Sequence, residues 1–256
     1  MKIKNDPDTE LPRAHYLWIV FSVVCVHLLV IHTVLFAQND DIYFESLSAE
    51  NGLSQLTVSS IFQDSKGFIW FGTMDGLNLY DGYSFEIFKT RPGHQGSISS
   101  NYINAITEDS LGYIWIGTEG GLNRYSYETG EFLSFFKDGE TDRNISHDKA
   151  SFVFRDKKGV IWVGTEQGLD CPDLKNMTFK KRTFNNFLYN NRIIAIHDDS
   201  YGNLWIGTLK GLVKFNPVNE SYQIFRHESE NSRSLSDNHI RTRYEDSSKY
   251  LWIGTS

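Results

Sequence analysis

Five tryptophans recur at nearly constant spacing, and this repeat constrains the fold more than any other feature of the chain. They are Trp70, Trp115, Trp162, Trp205 and Trp252, which lie 45, 47, 43 and 47 residues apart. An aspartate precedes each tryptophan by six residues, and a Gly-Thr pair begins two residues after it. Such a period indicates one supersecondary unit copied along the chain.

Each unit has the pattern of four short strands separated by turns. In the first unit we predict strands at residues 58–63, 68–73, 77–80 and 83–88, bounded by Asp- and Gly-containing turns. The second strand is apolar on both faces, which requires another sheet on each side. We therefore predict an all-β fold, a β-propeller of four-stranded antiparallel blades with about four complete blades and one partial blade. A solenoid of stacked hairpins is the alternative.

The two ends of the repeat array carry further expectations. Residues 43–47 have the pattern of a fourth strand but precede the first unit, as expected if an amino-terminal strand helps to close a ring. The fifth unit stops at Ser256, directly after its second strand, and carries Arg243 where the other units have Ile or Val. These features lead us to expect that the 256 residues are a fragment of a longer protein.

The amino terminus contains a long apolar stretch. Residues 17–36 include 16 apolar residues, enough to cross about 30 Å of hydrocarbon as a helix. Three basic residues precede this stretch and none follows before Lys66, which predicts a cytoplasmic amino terminus and export of the remainder. We divide the chain into a cytoplasmic segment 1–16, a signal peptide or transmembrane anchor 17–37, and a partial propeller 38–256. Cleavage and retention of the second segment are both open.

Composition and motif content exclude several classes of function. Acidic residues outnumber basic ones by 32 to 25, so the chain lacks the basic excess that nucleic-acid binding requires. The two cysteines, Cys25 and Cys171, cannot form a disulfide framework. The sequence contains no nucleophile elbow, His-Glu-x-x-His motif, phosphate-binding loop or Cys-x-x-Cys pair. We predict no catalytic residue, metal ligand or cofactor, and whether the chain acts in an enzyme stays open.

The repeated aspartates and tryptophans each allow a structural and a ligand-binding interpretation. Carboxylates are calcium ligands, but one aspartate in each Asp-x-x-Gly turn is too far from the next to share an ion. Tryptophans can stack on sugars, but these lie inside strands that are apolar on both faces. The sequence therefore favours turn capping for the aspartates and core positions for the tryptophans.

One repeat resembles a known family closely. The segment from Asp64 to Phe85 reads Asp-Ser-Lys-Gly-Phe-Ile-Trp-Phe-Gly-Thr-Met-Asp-Gly-Leu-Asn-Leu-Tyr-Asp-Gly-Tyr-Ser-Phe and resembles the two-component regulator propeller repeat. The resemblance extends from about Asp41 to Ser256, and Leu47–Ser54 resembles the start of the first such repeat in Bacteroidetes hybrid two-component sensors. It implies a truncated, amino-terminal periplasmic sensor region of a histidine kinase/response regulator protein. Such sensors typically perceive polysaccharide breakdown products.

Candidate ligand contacts lie in the loops, which vary between units. The connections from strand two to strand three and from strand four to the next unit should emerge on one rim. They carry carboxylates, amides and rings suited to sugars. The candidates are Asp75, Asn101, Tyr102, Glu119, Asp148, Glu166, Tyr189, Asn191, Lys210, Asn238 and His239. A purely structural role, capping the start of strand one, is the alternative for the Asn and Asp positions.

Three functions are compatible with these features. The leading hypothesis is an extracytoplasmic ligand-sensing propeller of a two-component signal transduction protein. A secreted propeller lectin or glycan-active enzyme is the second, and a structural adaptor is the third. The expected partners are an oligosaccharide or other small periplasmic ligand, the membrane through the amino-terminal helix, and a second copy in a homodimer. The expected location is the inner membrane with a periplasmic domain, or the periplasm after cleavage.

Overall fold

The computed structural model describes Trp18 and residues 21–25, 43–138, 142–188 and 191–256. The chain divides into two units, residues 1–46 and 47–256. In the first unit, Trp18 and residues 21–25 are helical. Within the described ranges, no helix has both the length and the apolar character needed to span a membrane. Most of the predicted segment 17–37 lies outside these residues.

The second unit consists of antiparallel strands, preceded by a short 3-10 helix at Ala49–Asn51. Blade 1 contains β1 Val58–Gln63, β2 Ile69–Thr73, β3 Gly76–Tyr80 and β4 Phe85–Phe88. Blade 2 contains β5 Ile103–Glu108, β6 Ile114–Thr118, β7 Gly121–Ser126 and β8 Glu131–Phe135. Blade 3 contains β9 Ala150–Arg155, β10 Ile161–Thr165, β11 Leu169–Asp173 and β12 Thr178–Arg182. Blade 4 contains β13 Ile193–Asp198, β14 Leu204–Thr208, β15 Gly211–Phe215 and β16 Tyr222–Phe225. Blade 5 contains β17 Ile240–Glu245 and β18 Leu251–Thr255.

The predicted fold class is confirmed by this arrangement. Each of blades 1 to 4 is a four-stranded antiparallel sheet in which the strands pair in chain order. The first strands of successive blades, β1, β5, β9, β13 and β17, pack side by side, so the sheets radiate from their inner strands. The pairing of the first two strands shifts by one residue at the same place in every blade, for example between Ile103 and Ala105. The expected strand at residues 43–47 is not formed, and Tyr43 and Phe44 are exposed.

The core lies between blades, because the tryptophan of one blade is covered by aromatic rings of the next. The ring centroids of Trp70 and Tyr125 lie 5.4 Å apart, and those of Trp162 and Phe215 lie 6.0 Å apart. Trp70, Trp115 and Trp162 are buried as predicted. Trp205 is only half-buried, and Trp252 is 63% exposed, so the core prediction is wrong for Trp252. The reason is that, among the described residues, β17 and β18 follow blade 4 and no further blade covers Trp252.

Glycine in the second strand allows successive blades to approach closely. A Cβ atom on Gly72 would lie 2.6 Å from Cγ2 of Ile103, which belongs to the next blade. On Gly117 it would lie 2.7 Å from the main-chain oxygen of Ala150. A side chain at either position would push the blades apart.

The repeated aspartate joins the turn to the core. In blade 2, Oδ1 of Asp109 accepts hydrogen bonds from the main-chain N–H groups of Leu111 and Tyr113. Its Oδ2 accepts a hydrogen bond from Nε1 of Trp115 at 2.7 Å. All five units form the same Asp–Trp bond. One carboxylate thus closes the turn and satisfies the N–H of a tryptophan.

Polar clasps also join neighbouring blades. Glu108, at the end of β5, accepts hydrogen bonds from N and Oγ of Ser65 in the blade 1 turn. Asp198 and Glu245 hold the corresponding turns of blades 3 and 4. Blade 3 instead carries Arg155 at this position, so the carboxylate clasp joins three of the four pairs of neighbouring blades.

Candidate functional site

The turns between second and third strands meet the loops that lead into the next blade on one rim. The N–H of Gly76 donates to the main-chain oxygen of Asn101 at 2.8 Å, and the N–H of Asn191 donates to that of Glu166 at 3.2 Å. Within blade 2, the N–H of Glu119 donates to the oxygen of Tyr102 at 3.1 Å. The fold therefore brings these two kinds of loop together.

The rim residues of blades 2 and 3 converge on one ammonium group. Nζ of Lys149 lies 3.1 Å from Oε2 of Glu119 and 3.3 Å from Oε1 of Glu166. Nδ2 of Asn104 lies 3.3 Å from Oε1 of Glu119. We call Asn104, Glu119, Lys149 and Glu166 the rim cluster. The hydrogen bond and charge of Glu119, followed by those of Glu166, raise the pKa of Lys149, so its ammonium stays charged.

The rim cluster lies near the inner strands and remains open to solvent. The Lys149 side chain is 44% exposed, whereas those of Glu119 and Glu166 are 27% and 32% exposed. Tyr102, whose carbonyl binds the Glu119 N–H, is 36% exposed. A ligand at the rim cluster would meet two carboxylates, one ammonium and one amide.

Three predicted contacts use their side chains to hold the incoming loops. Oδ1 of Asn101 accepts from the N–H of Thr90 at 2.8 Å. Oδ1 of Asp148 and Oδ1 of Asn238 accept in the same way from the N–H groups of residues 137 and 227. Each bond spans 11 residues. These bonds give the three side chains a structural role in the loops between blades.

The remaining predicted residues are spread around the rim. Asp75 forms an ion pair with Lys89 at 2.7 Å, and Nδ1 of His239 lies 2.9 Å from Oγ of Ser256. Asn191 is fully buried and donates to the oxygen of Phe187. Lys210 is exposed, and Tyr189 lies outside the described residues.

Sequence reasoning did not identify Asn104 or Lys149. Asn104 occupies the second position of β5, where blades 1 and 3 have Ser59 and Ser151. All three side chains donate to the first carbonyl of the next blade's inner strand, which explains a polar residue there. Only the longer amide of Asn104 also reaches Glu119. The sequence signal for this residue is that blade 2 has Asn104 where blades 1 and 3 have serine.

Comparison with known proteins identifies the repeats. The model of the two-component regulator propeller family matches residues 52–75, 97–120, 190–210 and 234–256. A curated relative, histidine kinase P4 of Formosa agariphila, is 45% identical over 80 residues, which are 31% of this chain and 6% of the relative.

Two solved structures share the fold. Both are described as extracellular domains of hybrid two-component systems of B. thetaiotaomicron. The first is 24% identical with a TM-score of 0.65, and the match covers 85% of this chain and 27% of the chain in that structure. The second is 25% identical with a TM-score of 0.53, and covers 82% of this chain and 40% of its own. The chain thus spans well under half of each of these relatives. Four segments of the chain are thus similar to the two-component regulator propeller repeat.

Proposed function

We propose that this chain is the extracytoplasmic ligand-sensing propeller of a two-component signalling protein, that it perceives glycan breakdown products, and that it signals to a kinase module. The family match and the extracellular solved relatives support the sensing role. The observation that carries the ligand class is the rim cluster.

The chemistry of the rim cluster suits sugar hydroxyl groups. Carboxylates accept hydrogen bonds from hydroxyls, and the Lys149 ammonium donates to sugar oxygens. Charge-assisted bonds of this kind are stronger than bonds between neutral groups. The partly exposed ring of Tyr102 offers an apolar face on which a pyranose can stack.

Calorimetric titration with oligosaccharides tests this proposal. The probes are laminarihexaose, xylohexaose and cellohexaose, added to the full chain in a polyoxyethylene detergent, which carries no sugar headgroup. We expect Lys149→Met to weaken binding about tenfold, the factor for one lost charge-assisted hydrogen bond. Lys180→Met is the matched control, because Lys180 also pairs with a carboxylate, Glu220, but on β12.

Each result separates the competing functions. The rim site is contradicted if Lys149→Met and Lys180→Met weaken sugar binding equally, or if no probe binds. Release of shorter sugars from a probe favours the glycan-active enzyme, whereas binding without turnover favours the sensor or the lectin and excludes the adaptor. A change in kinase output on adding the bound sugar to the whole signalling protein then separates sensor from lectin.

Export of the propeller is part of the proposal. The basic residues before the apolar stretch support a cytoplasmic amino terminus. A reporter enzyme that is active only after export, fused at residue 60, should be active. An inactive fusion together with an active fusion of a reporter that works only in the cytoplasm would contradict the proposed location.

A further inference from the structure

A groove runs along the side of blades 1 and 2, around the loop at residues 91–97. It contains recesses of about 610, 210 and 520 Å³. All three recesses include His94 and Phe132 in their walls, so they form one continuous surface. We call this surface the side groove. Its largest recess has the size typical of small-molecule sites.

The loop that borders the side groove is held in place by hydrogen bonds. The N–H of Phe132 donates to the main-chain oxygen of Gly96 at 3.0 Å, which ties the loop to β8. Oγ of Ser97 accepts from the N–H of Arg91 at 3.2 Å and donates to the oxygen of His94 at 2.9 Å. The wall of the groove is therefore formed before any ligand arrives.

Glu131 stands between two of the recesses. It contributes to the walls of both, and a Cβ atom on Gly96 would lie only 2.9 Å from its carboxyl carbon. The carboxylate thus rests against the loop at Gly96, which has no side chain. Gly96 makes room for Glu131 inside the groove.

Arg124 supplies the donor in the largest recess. Its guanidinium lies 4.2 Å from the centre of the Tyr113 ring, and Nη1 lies 3.4 Å from the sulfur of Met177. Across the described ranges, Arg124 forms no ion pair, and neither do Glu128 and Glu131, although all three line this recess. The ring fixes the guanidinium while its remaining N–H groups stay available.

The groups in the side groove fit a chain of hydroxylated rings. A guanidinium can donate to two neighbouring oxygens, and unpaired carboxylates can accept from hydroxyls. Apolar surface lies beside them at Leu133, which is 46% exposed. A peptide strand fits less well, because the Phe132 N–H that it would need on β8 is already bound to the loop.

We propose that the side groove binds a linear oligosaccharide, with Arg124 as donor and Glu131 as acceptor. This site shares the ligand class of the proposed function, but it is separate from the rim cluster. Three adjoining recesses offer room for several linked rings, whereas a single small metabolite would fill only one of them.

The test uses the full chain in a polyoxyethylene detergent with the same three hexasaccharides. Calorimetry should show a second binding event that Arg124→Met and Glu131→Gln each weaken about tenfold. Arg226→Met is the matched control, because the Arg226 guanidinium also lies over a ring, that of Phe187, at 5.0 Å, but outside the groove. Circular dichroism confirms that each variant is folded.

The outcomes separate this site from the rim. The side groove is supported if both groove variants weaken the second binding event and Lys149→Met leaves it unchanged. This holds even if the rim cluster binds no sugar. Unchanged titrations in both groove variants overturn it. Binding of an unstructured peptide that the groove variants weaken, without binding of any sugar, also overturns it in favour of a peptide site.

Discussion

At the scale of single residues, the repeated aspartate has two roles. Asp109 closes a turn through two N–H groups and accepts the indole N–H of a fully buried Trp115. An indole N–H without a partner in this core would be unfavourable. The aspartate therefore belongs to the core as much as to the turn.

Replacing the tryptophan tests this role. Trp115→Phe keeps an aromatic ring but removes the donor to Oδ2 of Asp109, so we expect a loss of about 1–3 kcal/mol in the free energy of unfolding. Trp252→Phe removes the same bond, 2.8 Å long, at a side chain that is 63% exposed, and should change stability by under about 0.5 kcal/mol. Urea denaturation of both variants measures the difference, and equal losses would contradict the explanation.

Asp170 is a second informative residue, because it replaces an asparagine of the repeat. Asn78 and Asn123 occupy this position in blades 1 and 2. Asp170 is fully buried, and burial raises its pKa to about 6, although hydrogen bonds from Ser146 oppose the shift. Its ordinary pKa is 3.8, so keeping it ionised in the folded protein is unfavourable at neutral pH.

Asp170→Asn should therefore stabilise the protein in a pH-dependent way. In the wild-type protein, the contribution of Asp170 to the free energy of unfolding falls as pH rises from about 4 to about 6. The reason is that this carboxyl ionises at a lower pH in the unfolded chain than in the folded protein. The variant should gain about 3 kcal/mol at pH 7 and nothing below pH 4. Urea denaturation at several pH values measures this, with Asn123→Asp as the reverse control. A gain independent of pH would rule out ionisation as the cause.

At the scale of elements, contact between blades is set by the glycine of the second strand. Gly117→Ala would place Cβ 2.7 Å from the Ala150 oxygen, which is main chain and cannot rotate away. We expect a loss of more than about 2 kcal/mol, as for an overpacked core. Gly254→Ala is the control, because its close neighbour is the rotatable Cγ2 of exposed Thr242. Thermal unfolding compares them, and similar midpoints would contradict the prediction.

The elements themselves were largely predictable. The observed strands of blade 1 differ from the predicted ones by no more than two residues at either end, because turns with Gly and Asp mark their limits. The rim cluster was only half predictable. Glu119 and Glu166 follow the turn pattern, but Lys149 joins them through a contact across two blades, which no local pattern encodes.

At the scale of the whole propeller region, the protection of amide hydrogens from exchange should increase with the number of blades that neighbour a strand. Blades 2 and 3 are covered on both faces, whereas the β17–β18 sheet has an exposed Trp252 and an exposed Tyr244. Local opening is easiest where few apolar contacts hold an element. We expect amide hydrogens of β17 and β18 to exchange at least about tenfold faster than those of β5 to β7. Mass spectrometry of exchange measures this, and uniform protection would contradict it.

The covering of each tryptophan by the following blade has a direction, and that direction matches the order of synthesis. A newly made blade can pair its own strands, but its indole stays open until about 45 further residues have left the ribosome. At about 5–20 residues per second this interval lasts a few seconds. During translation, a nascent chain of this kind therefore presents one open aromatic face at a time, and each new blade closes that face while opening its own.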